Sequence, residues 1–212
     1  MIKVCYLVDG FNLYHSVSDA SLDLQATTKW LNIKKLCESY LPSQVGKGAV
    51  LKDIYYFSAL AYHCEKADPD VTKRHKQFLK CLKDTGVIIE LNRFKEKQVT
   101  CSKCHKTFIK HEEKETDVSM ALKLFEILML NVCDVAIIVT GDTDLAPAVK
   151  SALRLFPAKK VFYAFPYKRK NRELSMIARD SFKIKAKQYV KFQFPDPYTL
   201  ADGKKIYKPV SW

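Results

Sequence analysis

The feature that most constrains this chain is the regular alternation of short apolar runs with longer stretches of helical periodicity. The runs "KVCYLVDG", "LKDIYYFSAL", "VIIEL", "DVAIIVTG" and "KKVFYAF" are rich in β-branched and aromatic residues and have the length of buried strands. Between them, "KWLNIKKLCESYL" repeats Trp30, Ile33, Leu36, Cys37 and Tyr40 at helical spacing. Residues 70–84 place Val71, Phe78, Leu79 and Leu82 on one side of a helix, with Gly86 as the left-handed residue that ends it. Residues 117–130 and 145–155 supply two more helices. Strands separated by helices build βαβ units, whose right-handed crossovers lay the strands parallel. The expected fold is therefore α/β: a single doubly wound domain around a mostly parallel sheet of five strands or more.

No Pro/Gly/Ser-rich spacer, repeat or low-complexity run divides the 212 residues, and a 48% hydrophobic content suffices for one core. No apolar run approaches the ~20 residues of a membrane span, and "MIKVCYLVDG" lacks a signal peptide's length and cleavage site. The expectation is a cytoplasmic protein without membrane contact. Seven cysteines, an odd number set mostly in apolar segments, suit a reducing compartment, with Cys5, Cys37, Cys81 and Cys133 as small core residues.

In an open parallel sheet, ligands collect where loops and helix N-termini meet the carboxyl ends of the strands. Asp9 ends the first run in "YLVDGFN", Asp142 and Asp144 follow the fourth in "VTGDTDLAPAV", and Asp117 opens the helix that leads into it. Each has an ordinary alternative: Asp144 as an N-cap with Pro147 in the first turn, Asp117 as a dipole partner, Asp9 as a turn residue before Gly10. Jointly placed at neighbouring strand ends, they form a repulsive set that Mg²⁺ or Mn²⁺ would neutralise, and such an ion activates water for attack on a phosphoryl group.

The charge points to a phosphate-bearing substrate. Of the formal +13, residues 150–212 contribute a surplus of 12, from 16 Lys and Arg against 4 Asp and Glu. Basic residues clustered in this way bind polyanions by releasing condensed counterions. Within that segment "KRKNR" offers Lys168, Arg169, Lys170 and Arg172, and "SFKIKAKQYVKF" alternates Lys183, Lys185 and Lys187 with Phe182, Ile184 and Ala186. The alternation reads either as a strand with one cationic face or as a strand followed by a helix from Ala186. Tyr167 or Tyr189 would stack on a base in the nucleic-acid reading, and edge-strand protection is the other role for these lysines.

The set "VDGFN", "EKETDVSMAL" and "VTGDTDLAPAV", in this order, resembles the NYN domain of the PIN-like nuclease superfamily, in the branch that includes the LabA-like proteins. The resemblance covers roughly residues 1–165, leaving residues 166–212 as a basic extension packed on the domain. It implies Asp9, Asp117 and Asp142 as metal-binding carboxylates and Asp144 as a fourth member or a supporting residue. Asn12 matches the asparagine of the family's "DGxN" and would orient Asp9 or a metal-bound water, or cap the helix that follows. It also implies that the first strand lies between the second and fourth, and that the substrate is RNA.

One segment, residues 95–115, stands outside this pattern as an insertion. "VTCSKCHKTFIKHEEKETD" carries Cys101 and Cys104 as half of a structural zinc site, with His111 spaced to return to the ion and His63 or Cys64 of "AYHCEK" as alternative ligands. A redox pair and unligated surface thiols are the competing readings. The function these features support is a Mg²⁺- or Mn²⁺-dependent ribonuclease. The alternatives are a non-catalytic nucleic-acid or protein-binding module on the same fold and a phosphatase acting on small molecules. A homo-oligomer or protein partner stays open.

Overall fold

The computed structural model describes residues 1–178 and 180–212. Strand β1 (Ile2–Asp9) runs into α1 (Gly10–Leu24); α2 (Ile33–Gln44) precedes β2 (Ala49–Ala59), and α3 (Val71–Asp84) precedes β3 (Ile88–Thr100). Then come β4 (Thr107–Lys114), α4 (Thr116–Met129), β5 (Val135–Val139), α5 (Ala146–Leu155), β6 (Lys160–Phe165), α6 (Arg172–Ile177), β7 (Asp180–Lys183) and α7 (Ala186–Lys191). A two-stranded ribbon of β8 (Tyr198–Thr199) and β9 (Lys205–Ile206) follows. The main sheet has the order β4-β3-β2-β1-β5-β6-β7 and is parallel apart from the β3–β4 pair. The first strand thus sits between the second and the strand of "DVAIIVTG", as the resemblance implies.

The period-two alternation of strand side chains divides the core into two layers. Val4, Tyr6 and Val8 of β1 face one cluster with Leu13 and Val17 of α1, Leu36 of α2 and Phe78 and Leu82 of α3; Cys5 and Leu7 face the other, with Met120 and Leu124 of α4 and Val149 of α5. The same alternation runs through β5, where Ile137 and Ile138 turn to opposite clusters. Burial on both faces explains why these strands read as continuous apolar runs. Cys5, Cys37, Cys81 and Cys133 are all buried and free, as small core residues.

Three boundaries differ from the sequence reading. Helix α1 is 15 residues long, where the sequence suggests only a short helix after Asp9. Helix α2 begins at Ile33 because Asn32 caps it, its side chain accepting the Lys35 N–H at 3.0 Å, so Trp30 enters the core from the preceding loop. The insertion is a β-hairpin that prolongs β3. Beyond residue 165 the chain adds β7 to the sheet edge and buries Tyr189, Phe194 and Leu200 in the first cluster. Of the two readings of "SFKIKAKQYVKF", the short strand followed by a helix from Ala186 is the one formed.

Candidate active site

Chain direction reverses its winding between β1 and β5, and the carboxylates gather where those two strands end. Asp9, the last residue of β1, is 6% exposed and caps α1: its Oδ1 accepts the Asn12 N–H at 2.9 Å and its Oδ2 accepts the Thr140 hydroxyl at 2.8 Å. Burial pushes its pKa up to about 6; the two donors pull the other way, and Glu113 and Asp142 add repulsion. The glycine after it is a packing requirement. A Cβ on Gly10 would stand 2.5 Å from the Phe57 carbonyl oxygen and 2.7 Å from the Tyr56 ring, so only glycine lets α1 start this close to β2.

The second arm is the turn after β5. Thr140, fully buried, donates to Asp9 and accepts the Asp142 N–H at 3.1 Å, while Asp142 Oδ1 accepts the Asp144 N–H at 3.1 Å. Asn12 does not bond Asp9 through its side chain; its Oδ1 accepts the Gly141 N–H at 3.1 Å and ties α1 to this turn. A Cβ on Gly141 would lie 2.2 Å from the Arg169 carbonyl oxygen, and Asn171 donates to the Gly141 carbonyl at 3.3 Å, so the basic loop after β6 rests directly on the acidic turn.

Asp117 lies in the first turn of α4, where a helix N-terminus favours an anion. Its pKa is nevertheless pushed up to about 6, first by burial and then by Asp142, Asp9 and Asp144. Glu113, at the end of β4, is a fifth carboxylate here that the sequence reading misses. Burial raises its pKa, Asp117 adds to the rise, and the Thr116 hydroxyl donates to it at 2.6 Å. Thr140 is missed as well: a threonine ending an apolar run carries no local sign of its partner 131 residues away.

The basic residues fall into two groups. Lys168 pairs with Asp23 at 2.6 Å and Arg169 with Asp19 at 2.8 Å, both on α1, so these two are largely neutralised. Lys170, Arg172, Lys183 and Lys185 are exposed and form no ion pair among the described residues. Strand register sets Asp9, Thr140, Phe165 and Lys183 on one transverse line, about 14 Å from first to last at ordinary strand spacing. Tyr189 does not stack on a base. It is fully buried, its hydroxyl 2.9 Å from Ser16 Oγ and accepting the Tyr167 N–H at 3.1 Å.

The expected zinc ligands are not brought together. Cys101 and Cys104 sit in the turn at the hairpin tip, where backbone N–H groups of Cys104 and Lys103 hold the Cys101 thiol below its ordinary pKa. His111 pairs across the ladder with Glu96, five rungs below Cys101, or about 16 Å along the strands. Two ligands of one zinc ion lie only about 4 Å apart. His63 is with His111 rather than with the cysteines, their rings stacked at 4.2 Å, and Cys64 follows His63 in the same short turn.

Among the described residues no three His, Cys, Asp or Glu side chains close around a single point. At the carboxylate pole the donor chemistry still fits a hard divalent cation. All the groups are oxygens, Asp142 adds to the raised pKa of both Asp9 and Asp117, and the two Asp9 oxygens each keep a lone pair beyond the hydrogen bond they accept. At the hairpin tip only two sulfurs are present.

A family model described as the NYN domain matches residues 3–190. Among solved structures, a protein of unknown function from Vibrio parahaemolyticus RIMD 2210633 is similar at 18% identity and a TM-score of 0.58, over 87% of this chain and 93% of that one. At that identity the likeness speaks for the fold. No curated protein matches. No helix among the described residues is long and apolar enough to cross a membrane.

Proposed function

The chain belongs to the NYN domain family of the PIN-like nuclease superfamily, and from that premise we propose that it is a metal-dependent ribonuclease cutting phosphodiester bonds at the β1–β5 pole. The observation that carries this reading is the convergence of Asp9, Asp117 and Asp142, from three separate elements: Thr140 joins Asp9 to the Asp142 turn, and Asp142 repels both Asp9 and Asp117, adding to the burial that pushes each up to about 6. PIN-like nucleases generally use divalent cations. Here Asp9, Asp117 and Asp142 would hold Mg²⁺ or Mn²⁺, with Asp144 and Glu113 beside them. A cation bound there would supply charge neutralisation at the phosphoryl oxygens and would lower the pKa of a bound water that attacks.

The protein's own part is preorganisation. Thr140 and the Asn12 N–H fix both oxygens of Asp9, Asn12 and Thr140 hold the Gly141–Asp142 turn, and burial excludes water from one side. Lys170, Arg172, Lys183 and Lys185, exposed and without ion pairs among the described residues, would bind phosphates flanking the one that is cut. The test is cleavage of labelled single- and double-stranded RNA and DNA with Mg²⁺ or Mn²⁺, comparing wild type with Asp142→Asn. Divalent-dependent RNA cutting that Asp142→Asn loses is the expected result. Binding of RNA by both proteins with cutting by neither would replace the nuclease with a binding module on the same fold.

A further inference from the structure

Beside the carboxylate pole lies a cavity of about 360 Å³ that the chemistry above does not use. Its size is within the roughly 300–1,000 Å³ of small-molecule sites. It opens between α1, the end of β2, α3 and the β3–β4 hairpin, and Gly10, the residue after Asp9, forms part of its wall. Gly10 thus links the cavity wall to the strand end that carries the most buried carboxylate of the site.

Its walls are flat and aromatic. Phe11 lies 6.5 Å from Phe94 and Phe94 lies 4.6 Å from His63, edge to face in both cases, and His63 is stacked on His111 with 8° between the rings. Phe11, one of the lining residues, is 47% exposed. Two polar atoms of lining residues are buried without a hydrogen-bond partner among the described residues: His63 Nδ1 and Arg74 Nε. Arg74 is held in place by Asp68, which occupies its two terminal nitrogens and leaves the Nε–H as a fixed donor. A buried donor left unpaired costs about 1–3 kcal/mol. Further in, Ser58 Oγ stands 3.4 Å from His75 Nε2, and burial pushes His75 down to about 4, so its ring is neutral and offers one donor and one acceptor.

Aromatic faces, a few convergent donors and acceptors and a charged acidic site next door describe a receptor for a flat heterocycle attached to a phosphate. We propose that this cavity is a nucleobase subsite, receiving one base of the strand whose phosphodiester lies at Asp9, Asp117 and Asp142. The assignment rests on the nucleic-acid reading of that pole, but base binding and cleavage are separable.

The experiment is isothermal titration of the full chain, without divalent metal, with the four nucleoside 5′-monophosphates and with ribose 5-phosphate. Wild type, Phe11→Ala, His63→Ala and Asp142→Asn are compared. At least one nucleotide is expected to bind ten-fold or more tighter than ribose 5-phosphate. Loss of one stacking face should weaken that nucleotide by about 5- to 150-fold in Phe11→Ala or His63→Ala and leave ribose 5-phosphate unchanged. Asp142→Asn should keep the preference. Equal binding of nucleotides and ribose 5-phosphate, or a base preference that survives both wall variants, overturns the proposal. So does an apolar dye held in the cavity that no nucleotide displaces. Base binding in a protein that cuts no nucleic acid would refute the nuclease and leave the subsite standing.

Discussion

The carboxylate pole and the hairpin tip are the two places where the chain sets metal-binding residue types at suggestive spacing, and they assemble in opposite ways. At the pole the groups are far apart in sequence, Asp9 and Asp142 above all, yet parallel neighbours β1 and β5 end on one level and deliver them together. At the hairpin Cys101, Cys104 and His111 are within 11 residues, and an antiparallel ladder carries His111 about 16 Å from the cysteines. Nearness along a strand is distance in space, because each residue advances about 3.3 Å. Nearness at the ends of parallel strands is set by register and survives any loop length.

The largest effect that would test this contrast is on cleavage. Asp142→Asn is expected to lower divalent-dependent kcat/KM by roughly 10³-fold, and Cys101→Ser together with Cys104→Ser to leave it within about two-fold. Equal losses in gel-based cleavage assays would show that the two regions form one site after all.

Stability against pH comes next. Asp9 titrates at about 6 in the folded chain and near 3.8 when unfolded, so between these values the folded state binds more protons. Unfolding free energy should therefore fall as pH rises from about 4 to 6, with the full cost present above 6. Asp9→Asn, which caps α1 as well as Asp does, should stabilise the protein by up to about 3 kcal/mol at pH 8 and by nothing near pH 4. Urea unfolding at both pH values measures it. Mg²⁺ should raise the melting temperature of wild type at pH 8 and leave that of Asp9→Asn unmoved.

Gly141→Ala probes the contact between the acidic turn and the basic loop. A methyl 2.2 Å from the Arg169 carbonyl forces the loop away, at about 1–3 kcal/mol in denaturant unfolding. The smallest effect belongs to the tip: Cys101→Ser with Cys104→Ser, or addition of a chelator to wild type, should change stability by less than about 0.5 kcal/mol. A larger loss with the chelator would mean that other ligands complete a metal site on those two sulfurs.

Much of the fold is legible in the residues themselves. The runs "KVCYLVDG" and "DVAIIVTG" could only be strands buried on both faces, and "VDG" and "VTGD" mark where they stop. The length of α1 was hidden because its buried set, Gly10, Leu13, Ser16, Val17 and Ala20, holds only two sizeable apolar residues, Leu13 and Val17. Thr140 was hidden because it acts through a partner 131 residues away, and Glu113 because nothing in the run "KHEEKETD" marks which of its acids turns toward Asp117. Lys168 and Arg169 of "KRKNR" looked free until α1 was seen to bring Asp23 and Asp19 against them.

By itself the sequence determined the helical or extended period of most elements and the basic character of residues 150–212, since these depend on chemistry within a few residues. Only the tertiary structure decided which ends meet: that β1 lies against β5, that Asn12 reaches Gly141, that His111 stacks on His63 instead of joining Cys101, and that aromatic side chains from α1, β3 and the turn after β2 enclose a cavity beside Asp9. Those outcomes follow from strand order and register, which arise from packing the whole chain at once.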